Sequence, residues 1–376
     1  MKRLKTLAAA LAALTILLAG TALAGKRVYN FTGGVLTRPD QGLSKFDLEP
    51  EPDDGSFFSW AYTFMFTLDD GSSGMIQFTY WKMYFKTQRG LYFAFSDKGE
   101  EQIIRKAILG AKEIGYTGDP PELVMGSHYW RGFYPNFDVH LDFPGEEGLP
   151  KMKADLRFHS RTPGWRPGEG PVHYGSPEGD WYDVVVMIPW ADVSGTITLN
   201  GSTRKVKGFG YSDHNTQNIL PTKQCDKLMA LRSFSDEYAV HFLEYIAPEH
   251  FDGERTTWIL IMKGDRILHA TDNWEREMFD FRTEPKRGYQ YPTRVTAAID
   301  LPACRLTGEI RGTKYIGALD ALDEIPAFLR GIASRFVSAP VFIRQNAEVD
   351  WHLVIPGEGI DTWFHAKGVF ETTIVQ

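Results

Sequence analysis

The run Tyr211-Ser212-Asp213-His214-Asn215 sets a phenol, a carboxyl, an imidazole and an amide within five residues, directly after Gly208-Phe209-Gly210. Written flat, it suggests an acid–imidazole dyad. If Lys205 to Asp213 is a strand, however, alternation sends Phe209, Tyr211 and Asp213 to one face and Gly208, Gly210, Ser212 and His214 to the other. Asp213 and His214 then point apart, and what remains is the chemistry of a single acid. A carboxyl beside Tyr211 and Phe209 in apolar surroundings has a raised pKa and stays protonated near neutral pH, ready to donate a proton or a hydrogen bond. Asp213 with Tyr211 is therefore the catalytic candidate, and His214 and Asn215 are candidate ligand contacts. Glycines 208 and 210 leave room for another backbone, a ring or a ligand to approach.

Two other segments carry isolated polar residues. "WYDVVVMI" (181–188) places Tyr182, Val184, Val186 and Ile188 on one face and Trp181, Asp183, Val185 and Met187 on the other; "YAVHFLEY" (238–245) alternates Tyr238, Val240, Phe242 and Glu244 with Ala239, His241, Leu243 and Tyr245. Both faces are mostly apolar, so each strand is expected to be covered twice, by a neighbouring domain and by a packed core or ligand-filled lumen. Asp183, His241 and Glu244, with Trp181, are candidate lumen groups that orient a ligand. The commoner role of a lone buried polar group is to satisfy backbone or a loop.

Other chemistries lack their residues. There is no G-x-S-x-G elbow, H-E-x-x-H or P-loop, and the ten histidines, His128, His140, His159 and His173 among them, show no metal-ligand spacing. No metal or other cofactor is expected. Cys225 and Cys304 lack C-x-x-C spacing, which excludes a zinc cluster or redox centre; a disulfide and two buried thiols both remain open.

The elements that must position these groups read almost wholly as strand. "FFSWAYTFMFT" (57–67) ends in Asp69-Asp70-Gly71 and returns as "MIQFTYWKMY" (75–84); Leu91 to Phe95, Phe137 to Phe143 and Ala154 to Phe158 are further strands. Asn200-Gly201 and Gly264-Asp265 mark two tight hairpins. Helical spacing is confined to Glu101–Lys112 and to Ala318–Phe336 around Pro326. The Gly- and Pro-rich stretch Pro163–Gly179 reads as a mouth loop. No 40–50-residue repeat supports a propeller.

Residues 1–24 read as a cleavable signal peptide: Lys2, Arg3 and Lys5, an apolar core from Leu7 to Ala19, and Ala22-Leu23-Ala24. The mature protein is expected to be soluble and periplasmic or secreted. Loss of the three leader cations takes the net charge from −7 to −10. An acidic chain without a basic block is unsuited to nucleic acid. The length predicts two domains, 25–225 and 226–376.

The segment "WYDVVVMIPWADVSGTITLNGSTRKVKGFGYSDHN" (181–215) resembles the AttH-like family of two-domain lipocalin-like proteins, which includes carotenoid 1,2-hydratases (hydroxyneurosporene synthases), the yeast survival-factor proteins and some fungal pericyclases. The shared elements are Pro189-x-Ala191-x-Val193-x-Gly195, a hairpin, and Gly-x-Gly-Tyr-x-Asp-His-Asn; residues 59–83 and 234–245 agree more loosely. The resemblance implies an all-β fold of two lipocalin-like (calycin) antiparallel barrels packed together, with few short helices. It places the family's acid on Asp213, surrounded by Tyr211, His214 and Asn215, and in the hydratases implies protonation of an isoprenoid double bond. Thr216-Gln217 departs from the Trp-Gly expected next in hydratases.

The primary expectation is an exported protein that binds a hydrophobic small molecule or lipid in a barrel or between the domains, with peripheral membrane contact compatible with that role. The alternative is a hydratase-like lyase or isomerase, with Asp213 protonating an unsaturated apolar substrate. A third reading, an aromatic platform, requires exposed Trp60, Trp81 and Trp165.

Overall fold

The computed structural model describes residues 28–29, 42–52, 55–84, 86–168, 170–320 and 340–375. The signal-peptide expectation and most of the helix expected over Ala318–Phe336 lie outside these residues.

Twenty-two strands form two sheets among the described residues. The first contains β1 (Val28–Tyr29), β2 (Phe57–Leu68), β3 (Ser73–Met83), β4 (Lys86–Ser96), β5 (Ile103–Ile108), β6 (Ile114–Gly118) and β7 (Pro121–Met125). It continues with β8 (His128–Phe133), β9 (Asn136–Phe143), β10 (Met152–Ser160), β11 (Val172–Tyr174), β12 (Trp181–Leu199) and β13 (Ser202–Gln217). The second contains β14 (Lys227–Phe234), β15 (Tyr238–Ile246), β16 (Arg255–Lys263), β17 (Arg266–Thr271) and β18 (Glu275–Thr283), then β19 (Gln290–Leu301), β20 (Cys304–Asp320), β21 (Val341–Ile355) and β22 (Ile360–Ile374).

Both sheets follow one plan. The spatial orders are β5-β4-β3-β2-β13-β12-β10-β9-β8-β7-β6, with β11 attached to β12 and β1 to β11, and β17-β16-β15-β14-β22-β21-β20-β19-β18. The first and last long strands of each unit pair in the middle, so the free edges fall on strands consecutive in the chain. Each is an up-and-down antiparallel barrel opened along one seam, β5/β6 or β17/β18. The fold class is thus all-β and lipocalin-like.

The inner faces are filled by side chains. Phe58, Tyr62, Phe64, Phe66, Trp130 and Phe158 pack inside the first barrel, and Leu231, Val240, Phe242, Trp351 and Phe370 inside the second. A third apolar layer, with Trp165, Trp190, Tyr211, Leu243 and Trp258, lies between them. The strands with two apolar faces are those sandwiched between a barrel core and this layer. Asn200 and Gly201 take the positive φ (50° and 83°) of the expected turn, and Gly264 (59°) that of the second hairpin.

Several expectations are corrected. Glu101–Lys112 is not a helix: Ile103–Ile108 is β5, paired with β4 from Gly90 to Phe95. Three isoleucines favour the pleat, and Arg105, at 0% exposure, turns inward to give hydrogen bonds to the Pro144 carbonyl (2.8 Å) and Glu146 (2.7 Å). Within Pro163–Gly179, β11 and a Trp165–Val186 bridge add ordered pairing. Ile188 leaves the face shared by Tyr182, Val184 and Val186, because bulges between Val185 and Ala191 re-phase β12 and turn Ile188 into the first core. Trp60 (7%) and Trp165 (1%) are buried, which removes the aromatic platform. Cys225 and Cys304 are separate buried thiols.

Candidate functional site

The β13 register settles the direction of each side chain. Gly210, Ser212 and His214 stand opposite the inward residues Phe66, Phe64 and Tyr62 of β2. His214 stacks on Tyr62 (4.0 Å, 5°) with Nδ1 3.2 Å from the Ala61 carbonyl oxygen, and burial pushes its pKa down to about 4. The glycines serve packing: a β-carbon on Gly208 would lie 2.2 Å from the Thr67 carbonyl oxygen, and one on Gly210 would lie 2.5 Å from the Phe158 ring.

Tyr211, Asp213 and Asn215 share the opposite face, towards the second barrel. The Asp213 carboxylate is 3.7 Å from the Arg232 guanidinium of β14, with the two side chains 10% and 8% exposed. Burial raises the Asp213 pKa; Arg232 opposes this most, followed by Tyr211, Asn215 and Thr63. Burial also works against the Arg232 cation, but Tyr211, Asp213 and Glu371 more than offset it. Arg232 lies over the Tyr211 ring at 4.5 Å and 6.0 Å from the Trp258 ring. Glu371 and Arg344, a further buried pair at 3.7 Å, extend the network onto β22 and β21.

His241 of β15 closes this cluster. It packs edge-on against Tyr211 (5.5 Å) with Nε2 2.8 Å from the Pro189 carbonyl oxygen, and burial, then Arg232, lowers its pKa to about 3. It is therefore neutral and donates Nε2–H to Pro189, which holds β15 against the β12 bulge. Nearby, Tyr245 donates to Tyr182 (2.8 Å). Among the described residues, six buried polar atoms of this layer lack a hydrogen-bond partner of good geometry: the Tyr211 hydroxyl, Arg232 Nε, His241 Nδ1 and the indole Nε1 of Trp165, Trp190 and Trp258. The Tyr211 hydroxyl lies close enough to Asp213 and Arg232 to shift both by hydrogen bonding, although neither contact has good hydrogen-bond geometry. Polar groups left this way in a protein interior are candidates to meet a ligand's polar atoms or water.

The remaining sequence candidates occupy two other places. Asp183 and His214 border a cavity of about 330 Å³ at the first barrel, with Val185, Thr216, Arg166 and Glu51. Arg166 donates to Asp183 (2.7 Å), and burial raises the pKa of both Asp183 and Glu51. Trp181 packs against the same barrel's core, its backbone N–H bonded to Asn218 (2.6 Å).

Glu244 points into the second barrel. It accepts hydrogen bonds from Arg255 and Arg276 on opposite oxygens, from the Trp274 indole (3.2 Å) and from Thr257 (3.4 Å). Its oxygens are already engaged by cations and donors, and it ties β15, β16 and β18 across the β17/β18 seam.

Asp213 and His241, expected in a lumen, thus face the interdomain layer, whereas Asp183 and Glu244 face inward. Sequence reasoning missed Arg232, Trp258, Glu371 and Arg344. Arg232 carried a usable signal, a cation alternating with Leu228, Ala230 and Phe234 on one face of the strand "KLMALRSF"; its pairing with Asp213 had none.

With this arrangement in view, a sequence profile of the Svf1 family matches residues 145–376, more than half the chain, spanning β10 to β22 and the whole Asp213–Arg232–His241 cluster. The chain belongs to the Svf1 family. A protein of Yarrowia lipolytica named ceramide-binding protein SVF1 is 26% identical over 56% of this chain and 58% of its own length. One of the same name from Eremothecium gossypii is 22% identical over 52% of this chain and 54% of its own. The chain spans a little over half the length of these curated relatives.

Solved structures extend the likeness in fold to nearly the whole Svf1-family chain. A Nitrosomonas europaea protein described as AttH superposes with TM-score 0.60 at 13% identity, covering 90% of this chain and 98% of its own. Kievitone hydratase from Nectria haematococca superposes with TM-score 0.54 at 11% identity, covering 93% and 98%.

Proposed function

We propose that the protein binds an amide- and hydroxyl-bearing lipid of the ceramide class, with its polar end held in the layer between the barrels. The observation that carries this reading is the group of buried polar atoms without partners around Asp213 and Arg232. A carboxylate accepts hydroxyl protons, a guanidinium and two indoles donate to carbonyl and hydroxyl oxygens, and the surrounding aromatic residues suit the first methylenes of a chain. The ceramide-binding names of relatives matched over this region support the ligand class. The export signal read at residues 1–24 completes the proposal with a periplasmic or secreted location, checked by the N-terminal sequence of the mature protein.

The test is native mass spectrometry of protein incubated with a ceramide, alongside titration with a fluorescent ceramide. A one-to-one complex is expected. Arg232→Met removes a charged donor, so affinity should fall by about ten- to a hundredfold, the worth of one hydrogen bond to a charged group. No uptake of ceramide or of any other apolar probe by the wild type would sink the reading.

The raised Asp213 pKa favours one second reading, proton donation to an unsaturated lipid. It requires turnover that Asp213→Asn abolishes while the substrate still binds.

A further inference from the structure

The β3–β4 hairpin and its neighbour β5 carry chemistry that the interdomain site does not use. Residues 80–96 contain Lys82, Lys86 and Arg89, and residues 106–112 contain Lys106 and Lys112, with no acid in either segment, in a protein of net charge −7; Arg105, buried and bonded to Glu146, is not part of this surface. Glu113 follows directly and bounds the patch.

Register places the side chains. Trp81 stands opposite Gln88 and Met83 opposite Lys86, and Ile108 and Lys106 stand opposite Gly90 and Tyr92 on the same outward face. Lys86 lies over the Trp81 ring at 6.0 Å. At the tip Tyr84 is 70% exposed, and on β5 Ile108 is 59% exposed. Tyr84 takes φ 54°, a region that a bulky side chain seldom occupies, yet the hairpin keeps an aromatic ring there.

Aromatic and aliphatic side chains among cations, on a hairpin whose own residues include no acid, match the headgroup region of an anionic bilayer, where rings sit at the interface and cations meet phosphates. We propose that the β3–β4 tip and the outer face of β5 dock the protein on an anionic phospholipid surface. The inference rests on the lipid-binding reading for its purpose, exchange of cargo with a membrane. Its surface shares no residue with the Asp213 cluster.

The test is cosedimentation with vesicles of phosphatidylcholine alone or mixed with phosphatidylglycerol. The wild type should bind the mixed vesicles, more weakly as salt rises, and not the neutral ones. Tyr84→Asn suits the positive φ and removes the ring, and Lys86→Glu reverses an exposed charge. Together they should lower partitioning on the order of tenfold or more. Uptake of a fluorescent ceramide from cyclodextrin, with no vesicle present, should be unchanged, as should the melting midpoint.

No wild-type binding to anionic vesicles, or equal binding by the double variant, overturns the docking surface. Failure of uptake from cyclodextrin counts against the lipid-binding reading alone.

Discussion

Glu244→Gln removes one negative charge from a fully buried position and leaves the shape unchanged. Glu244 side-chain exposure is 0%, against 13% for Arg276 and 41% for Arg255. Water can take over much of the Arg255 charge, so that contact is discounted; Arg276 and the Trp274 indole lose their acceptor in a site solvent barely reaches. Breaking a buried pair costs about 3–5 kcal/mol. With Arg255 discounted, about 3 kcal/mol is expected. At about 2.1 cal/mol/K per residue, that lowers Tm by about 10 °C if the roughly 150-residue second barrel melts alone, and by about 4 °C if both barrels melt together. Differential scanning calorimetry reads the shift and distinguishes the two cases. A double-mutant cycle with Arg276→Met should give a coupling above about 1.5 kcal/mol. A loss below about 1 kcal/mol, or a coupling near zero, would refute the idea that this carboxylate clamps the seam.

Three further outcomes follow from the same geometry. His241, neutral in the fold down to about pH 3, takes a proton near pH 6.5 when unfolded, so the unfolded state binds more protons between these values. Its contribution is fully present above about pH 6.5 and is lost on acidification at up to about 1.4 kcal/mol per pH unit; urea unfolding of wild type and His241→Gln at pH 4.5, 5.5 and 7 should show the slope only with histidine present. Gly208→Ala forces a methyl to 2.2 Å from the Thr67 carbonyl oxygen and should cost on the order of 3 kcal/mol in denaturant unfolding; a cost below about 1 kcal/mol would mean that β2 and β13 separate easily. Burial pushes the Cys225 thiol up to about 12 and Cys304 up to about 11, so neither should react with a thiol reagent at pH 8 until denaturant is added; rapid labelling of the native protein would contradict their burial.

Much of the fold was legible because period-two alternation and turn residues are local. The Asn200-Gly201 turn, the early aromatic hairpin and the strands with two apolar faces could all be read directly. Glu101–Lys112 was misread because its isoleucines satisfy helical spacing and alternation alike. The deciding fact, pairing with Gly90–Phe95, is a contact made only in the folded chain.

The site divides in the same way. That Asp213 and His214 face opposite directions follows from strand geometry alone, and the sequence determined it. Alternation sorts residues into two sets without saying which set is inside, and two apolar faces made the choice undecidable locally. Tertiary structure turned His214 into the first barrel and Asp213 outward, and set Arg232, the first cation of β14's apolar face, 3.7 Å from the carboxylate. It also turned Glu244 inward to two arginines and His241 outward to Pro189. A buried charge must be matched within a few ångströms, and which side chains arrive there depends on how the barrels pack, information no single strand contains.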